Sequence, residues 1–144
     1  MKITIKTFAI IIIPLLVWMI ATPADAANRQ QTIANHELKQ DLATHQAYAN
    51  DDPGNYDYAK FIKKIKYTGH DHIVVEVKNS FSTMNKADKT RILDQVQGLA
   101  IQVLQNNHLI TKRQAHHGLK ATIRTGHAII GKSKHSNYYQ YSWK

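Results

Sequence analysis

Apolar positions recur along the chain with two different periods. From Ile92 to Leu104 they follow helical spacing: Ile92, Leu93, Val96, Leu99, Ala100, Val103 and Leu104 form one stripe, the i, i+3, i+4, i+7 pattern of an amphipathic helix. Lys89, Arg91, Asp94, Gln95, Gln97 and Gln102 are assigned to the opposite face. Asn85 is placed to cap this helix and Asn106-Asn107 to end it. Gly98 costs roughly 1 kcal/mol against alanine inside a helix, so its presence predicts a close approach to a neighbouring layer.

On both sides of this helix the period is two. "YAKFIKKIKY" reads as a strand with Phe61, Ile65 and Tyr67 on one side and Lys64 and Lys66 on the other. "HIVVEVKNSF" reads as a second strand, in which Ile73, Val75, Val77 and Phe81 alternate with His72, Val74, Glu76 and Lys78. "TGHD" joins them as a hairpin loop, with Gly69 supplying the positive φ such loops require. After a polar connection, "HLITKRQAHHG", the stretch "LKATIRTGHAIIGKSK" gives a second hairpin turning at Gly126, and "NYYQYSW" alternates as a further strand. Upstream, Ala34, Leu38, Leu42, His45 and Ala49 trace a thin amphipathic helix, closed by the turn residues of "NDDPGN".

The order predicts an α+β fold. An antiparallel sheet of four to five strands, built from two hairpins, carries the long helix on one face and is preceded by an N-terminal helix. The predicted divisions are an export segment at 1–26, a polar helical segment and turn at 27–57, and a ββαββ domain at 58–144. If the first hairpin turns at the top of the sheet, the helix returns the chain to the top. The second hairpin then turns at the bottom, which places His127 far from His70 and brings His116 and His117 near the top.

Charge and the N-terminus add location. Lys2 and Lys6 precede an apolar run from Phe8 to Ala21, and Ala24-Asp25-Ala26 forms an A-x-A cleavage pattern, so export with cleavage before Ala27 is expected. The run is shorter than the ~20 residues that span a bilayer core. The chain has no cysteine, so no disulfide staples the fold. Residues 1–26 hold Lys2, Lys6 and Asp25, a net +1, so the remaining 118 of 144 residues keep +8 of the formal +9. A chain of this charge is drawn to polyanions.

Candidate chemistry is sparse. His70 and His72 flank Asp71, and with His116 or His117 they are the best candidates for a histidine metal site, which needs three or four ligands. "HELKQ" begins like a zinc-protease helix, but the position four residues after His36 is Gln40, which removes the second ligand. There is no G-x-S-x-G, no phosphate-binding glycine loop and no cysteine nucleophile. No cofactor is called for, and no specific nucleic-acid motif accompanies the charge.

The stronger feature is a basic sheet face. With the helix on one side, the other should display Lys64, Lys66, Lys78, Lys120 and Arg124, together with His72, Glu76 and Thr122. The stretch from Phe61 to Lys144, with "VKNSFSTMNKADKTRILDQVQGLA", "IGKSK" and an aromatic-Lys end, resembles small exported proteins of uncharacterised function in Gram-positive bacteria. That resemblance implies location and transfers no catalytic residue. The expected function is a secreted, non-enzymatic binding module, held at the cell wall or membrane surface by anionic polymers. Two alternatives stand beside it: a histidine-dependent metal binder, and an inhibitor or partner-binding protein offering a sheet edge.

Overall fold

The computed structural model describes residues 22–144. The expected apolar export run lies outside the described residues.

Thr22 opens α1 (Pro23–Tyr48) with a capping box: its hydroxyl accepts from the Asp25 N–H, and the Asp25 carboxylate accepts from Thr22. The helix begins four residues ahead of the expected segment boundary. Ala34, Leu38 and Leu42, one turn apart, are buried. They belong to the same apolar cluster as the sheet and the long helix, so α1 is part of the domain.

A short helix α2 (Pro53–Tyr56) and a 3-10 turn (Asp57–Phe61) lead into the sheet. The first strand thus starts later than the alternation suggested. Tyr58 and Ala59 are buried by the turn, and β1 spans Ile62–Gly69. The hairpin to β2 (His72–Val77) has Gly69 at φ 111°, the left-handed region expected of it, and His70 at φ 56°. Phe81 is buried, but from the short helix α3 (Asn79–Ser82) rather than from β2.

The long helix is α4 (Lys86–Asn106), capped by Asn85. Every residue of the predicted stripe is buried, and each aliphatic side chain contributes about 1.5–3 kcal/mol relative to exposure. Helix α5 (Lys112–His117) then precedes β3 (Lys120–Thr125), β4 (Ala128–Lys134) and β5 (Asn137–Trp143). The strands lie in the order β1-β2-β3-β4-β5.

Three expectations need correction. The sheet is mixed: β1–β2, β3–β4 and β4–β5 are antiparallel, but β2 and β3 are parallel. The cause is the crossover through α4, which returns the chain to the end where β2 began. Gln97 is buried, not on the solvent face. Its amide donates to Leu119 O at 2.8 Å and Tyr138 O at 3.2 Å, and accepts from Leu119 N–H at 2.8 Å. These bonds replace those the amide would make to water. Finally, a Cβ placed on Gly98 meets nothing within 4 Å, so no close approach explains that glycine. The close approach is at Gly131, where a Cβ would stand 2.7 Å from the Trp143 ring.

Candidate functional site

Alternation along the strands sorts their side chains into two layers. Ile65, Tyr67, Ile73, Val75, Val77, Ala121 and Ile123 are buried under the helices. Residues between them point the other way and stay exposed or half-buried. Register makes cross-strand neighbours of Lys66, Val74, Thr122 and Lys132, and likewise of Lys64, Glu76 and Arg124. His72 lies beside Lys120. Lys78 is exposed just past the end of β2. The predicted residues Lys64, Lys66, Lys78, Lys120 and Arg124 are therefore gathered on or at the end of one face.

Glu76 is the one carboxylate in all five strands. Lys63 Nζ lies 2.8 Å from it and Arg124 Nη2 3.5 Å. The Lys63 hydrogen bond, aided by Arg124, holds its carboxyl below the usual range. Lys120 Nζ is 3.6 Å from Asp71 and sits over the Tyr138 ring. Its pKa is raised, first by its bond to Tyr138 and then by Asp71. Among the described residues, Lys64, Lys66, Lys78 and Lys132 are in no ion pair. Tyr138 and Tyr141 are buried, so neither offers an open stacking surface.

The four histidines do not converge. His72 is wedged between two threonines, with Nδ1 2.8 Å from Thr68 Oγ1 and Nε2 3.0 Å from Thr122 Oγ1. Burial lowers its pKa, Asp71 opposes this, and Lys120 and Lys132 reinforce it. His70 is exposed in the hairpin turn. His116 and His117 do reach the same end of the sheet, lining a depression with Asp71 and Arg113. The His117 ring packs edge-on against Tyr138, centroids 4.6 Å apart. Among the described residues, no three of His, Asp and Glu stand close enough together to hold a metal ion.

The two sheet edges differ. Along β1, Asn35 binds both backbone groups of Tyr67: its Oδ1 accepts from the N–H at 2.7 Å and its Nδ2 donates to the C=O at 2.9 Å. Gln31 donates to the same carbonyl at 3.2 Å, and Gln46 donates to Ile62 O at 2.9 Å. The spacing fits the geometry: from Asn35 to Gln46 a helix rises about 16 Å, and from Tyr67 to Ile62 a strand covers about 16 Å. Helix α1 thus runs antiparallel to β1 and ties down its edge at two points. Nothing in the sequence period announced this, because asparagine and glutamine on a helix usually read as solvent-facing. Among the described residues, no helix is bonded along the outer edge of β5 in this way. Lys144 N–H donates to Ile130 O at 3.0 Å, so alternation turns the backbone of Tyr141 and Trp143 outward.

Among the described residues, no helix is long and apolar enough to cross a membrane. No protein-family model matches the chain, and neither a curated protein nor a solved structure matches it.

Proposed function

We propose that this chain is an exported, non-enzymatic binding module that attaches to anionic polymers of the cell surface through the open face of its sheet. The observation that carries the reading is the charge of that face. Lys64, Lys66, Lys120, Arg124 and Lys132 share it with a single strand carboxylate, Glu76, and that carboxylate is engaged by Lys63 and Arg124. Cations spread over a flat, solvent-facing layer attract a polyanion without demanding one exact pose, and screening weakens the attraction. Export rests on the sequence of residues 1–26.

Retention on cell-wall polymer tests this reading. Protein bound at low salt should elute as salt rises, because binding of this kind gains its free energy largely from released counterions. The double variant Lys64→Glu, Lys66→Glu should elute at markedly lower salt. Retention of that variant equal to the parent chain, or binding that survives concentrated salt, refutes the reading.

A further inference from the structure

A cleft of about 510 Å³ runs between α1 and the edge of β1, within the range of about 300–1,000 Å³ typical of small-molecule sites. Its helix wall is Asn35, His36, Lys39, Leu42, Ala43 and Gln46, and its strand wall is Lys63 to Lys66. No carboxylate lines it. Lys39, Lys64 and Lys66 are exposed and in no ion pair among the described residues. The bulge between Ile62 and Lys64 turns two consecutive lysines outward beside it.

The strand wall also carries an unused pair of backbone groups. Tyr67 points its N–H and C=O at Asn35, away from β2. The register from Tyr67 back to Ile65 is regular, so the N–H and C=O of Ile65 face the same way. They lie between the two amide clamps; among the described residues no side chain of α1 bonds them, and Ile65, though only 3 % exposed, lines the cleft.

We infer that this cleft seats a phosphodiester-linked polyol, one or two repeats of an anionic sugar-alcohol phosphate chain. This rests on the polyanion reading and names the repeat it selects. The chemistry matches group by group. Phosphate oxygens accept from the Ile65 N–H and from Lys39, Lys64 and Lys66. Polyol hydroxyls donate to the Ile65 carbonyl. The carbon backbone lies against Leu42 and Ala43. Ionised polyacrylate has acceptors for the lysines but no N–H or O–H donor for the carbonyl.

The test titrates the whole chain with a glycerol phosphate oligomer and, separately, with polyacrylate of equal charge at fixed salt. Ala43→Trp fills the cleft without changing charge, and Ala43 is exposed, so the fold tolerates it. The expected result is a loss of about tenfold or more in oligomer affinity with polyacrylate binding unchanged. Lys39→Glu should weaken the oligomer more than polyacrylate, while Lys132→Glu, out on the open face, should weaken both alike. If Ala43→Trp leaves oligomer binding intact while Lys132→Glu weakens both polymers, the open face works alone, and only this inference falls. If neither polymer binds the parent chain, the polyanion reading falls with it. Tighter Ala43-sensitive binding to phosphatidylglycerol vesicles than to the oligomer assigns the cleft to a lipid headgroup and overturns the polymer.

Discussion

The two faces of the sheet are made by the same strands, one residue apart, yet they obey different constraints. On the covered face, Val75 and Ile123 are fully buried beneath α4 and admit no charge. On the open face, Val74 and Thr122 are half-buried between Lys66 and Lys132, and Glu76 stands between Lys64 and Arg124. Among the described residues, Lys64, Lys66 and Lys132 are in no ion pair, and exposed cations of this kind contribute little to stability. The covered face therefore supplies most of the folding energy, and the open face carries unpaired cations that folding does not require. Those unpaired cations are what the proposed binding draws on.

The most forceful way to break the comparison is to move one charge across it. Val75→Asp buries a carboxylate without a partner and should abolish cooperative folding, whereas Val74→Asp, half-buried beside Lys66, should cost only about 1 kcal/mol. Urea denaturation of the two variants decides this, and similar midpoints would erase the distinction between the faces. Next in size is Gln97→Leu. It keeps the bulk but strands the N–H and C=O of Leu119, so a loss of about 1–3 kcal/mol is expected by the same assay. Gly98→Ala should work in the opposite direction. Its Cβ has room, and a gain of about 0.5–1 kcal/mol follows from the restricted unfolded chain.

Acid sharpens the comparison most gently. Burial raises the pKa of Tyr58, and its hydroxyl lies 2.6 Å from His45 Nδ1. Burial lowers the pKa of His45 against the pull of Asp41, and burial also lowers that of His72. Both rings bind protons more readily when the chain is unfolded. Their contribution is complete above the ordinary value of 6.5 and is lost as pH falls below it toward the lowered folded values. Tm should fall between about pH 7.5 and about pH 5, and His45→Gln should flatten that fall. An equal fall in that variant removes His45 from the account.

Much of this was legible beforehand. The stripe of α4, the alternation in β2 and β3, and the turn at Gly69 are local patterns, and local patterns survive in a sequence. The topology that sends His127 to the far end also followed from counting reversals; the parallel pairing of β2 with β3 is the same count carried one step further. Gln97 and Asn35 were not legible, because a polar side chain bonded to distant backbone has the same sequence signature as one bonded to water. The α1–β1 cleft shared that fate, since Lys39 and Lys64 meet only in three dimensions. Gly98 misled for the reverse reason: it implied a contact that the fold does not make.

The bonds of Gln97 bear on how α4 finds its place. An apolar ridge is nearly indifferent to sliding, and a shift of one turn, about 5.4 Å, sets similar side chains over the same strands. A lone amide anchored to Leu119 and Tyr138 accepts one axial position and no other. It acts as a dowel, so the greasy residues around it are free to be exchanged for one another while the helix stays in step with the strands beneath.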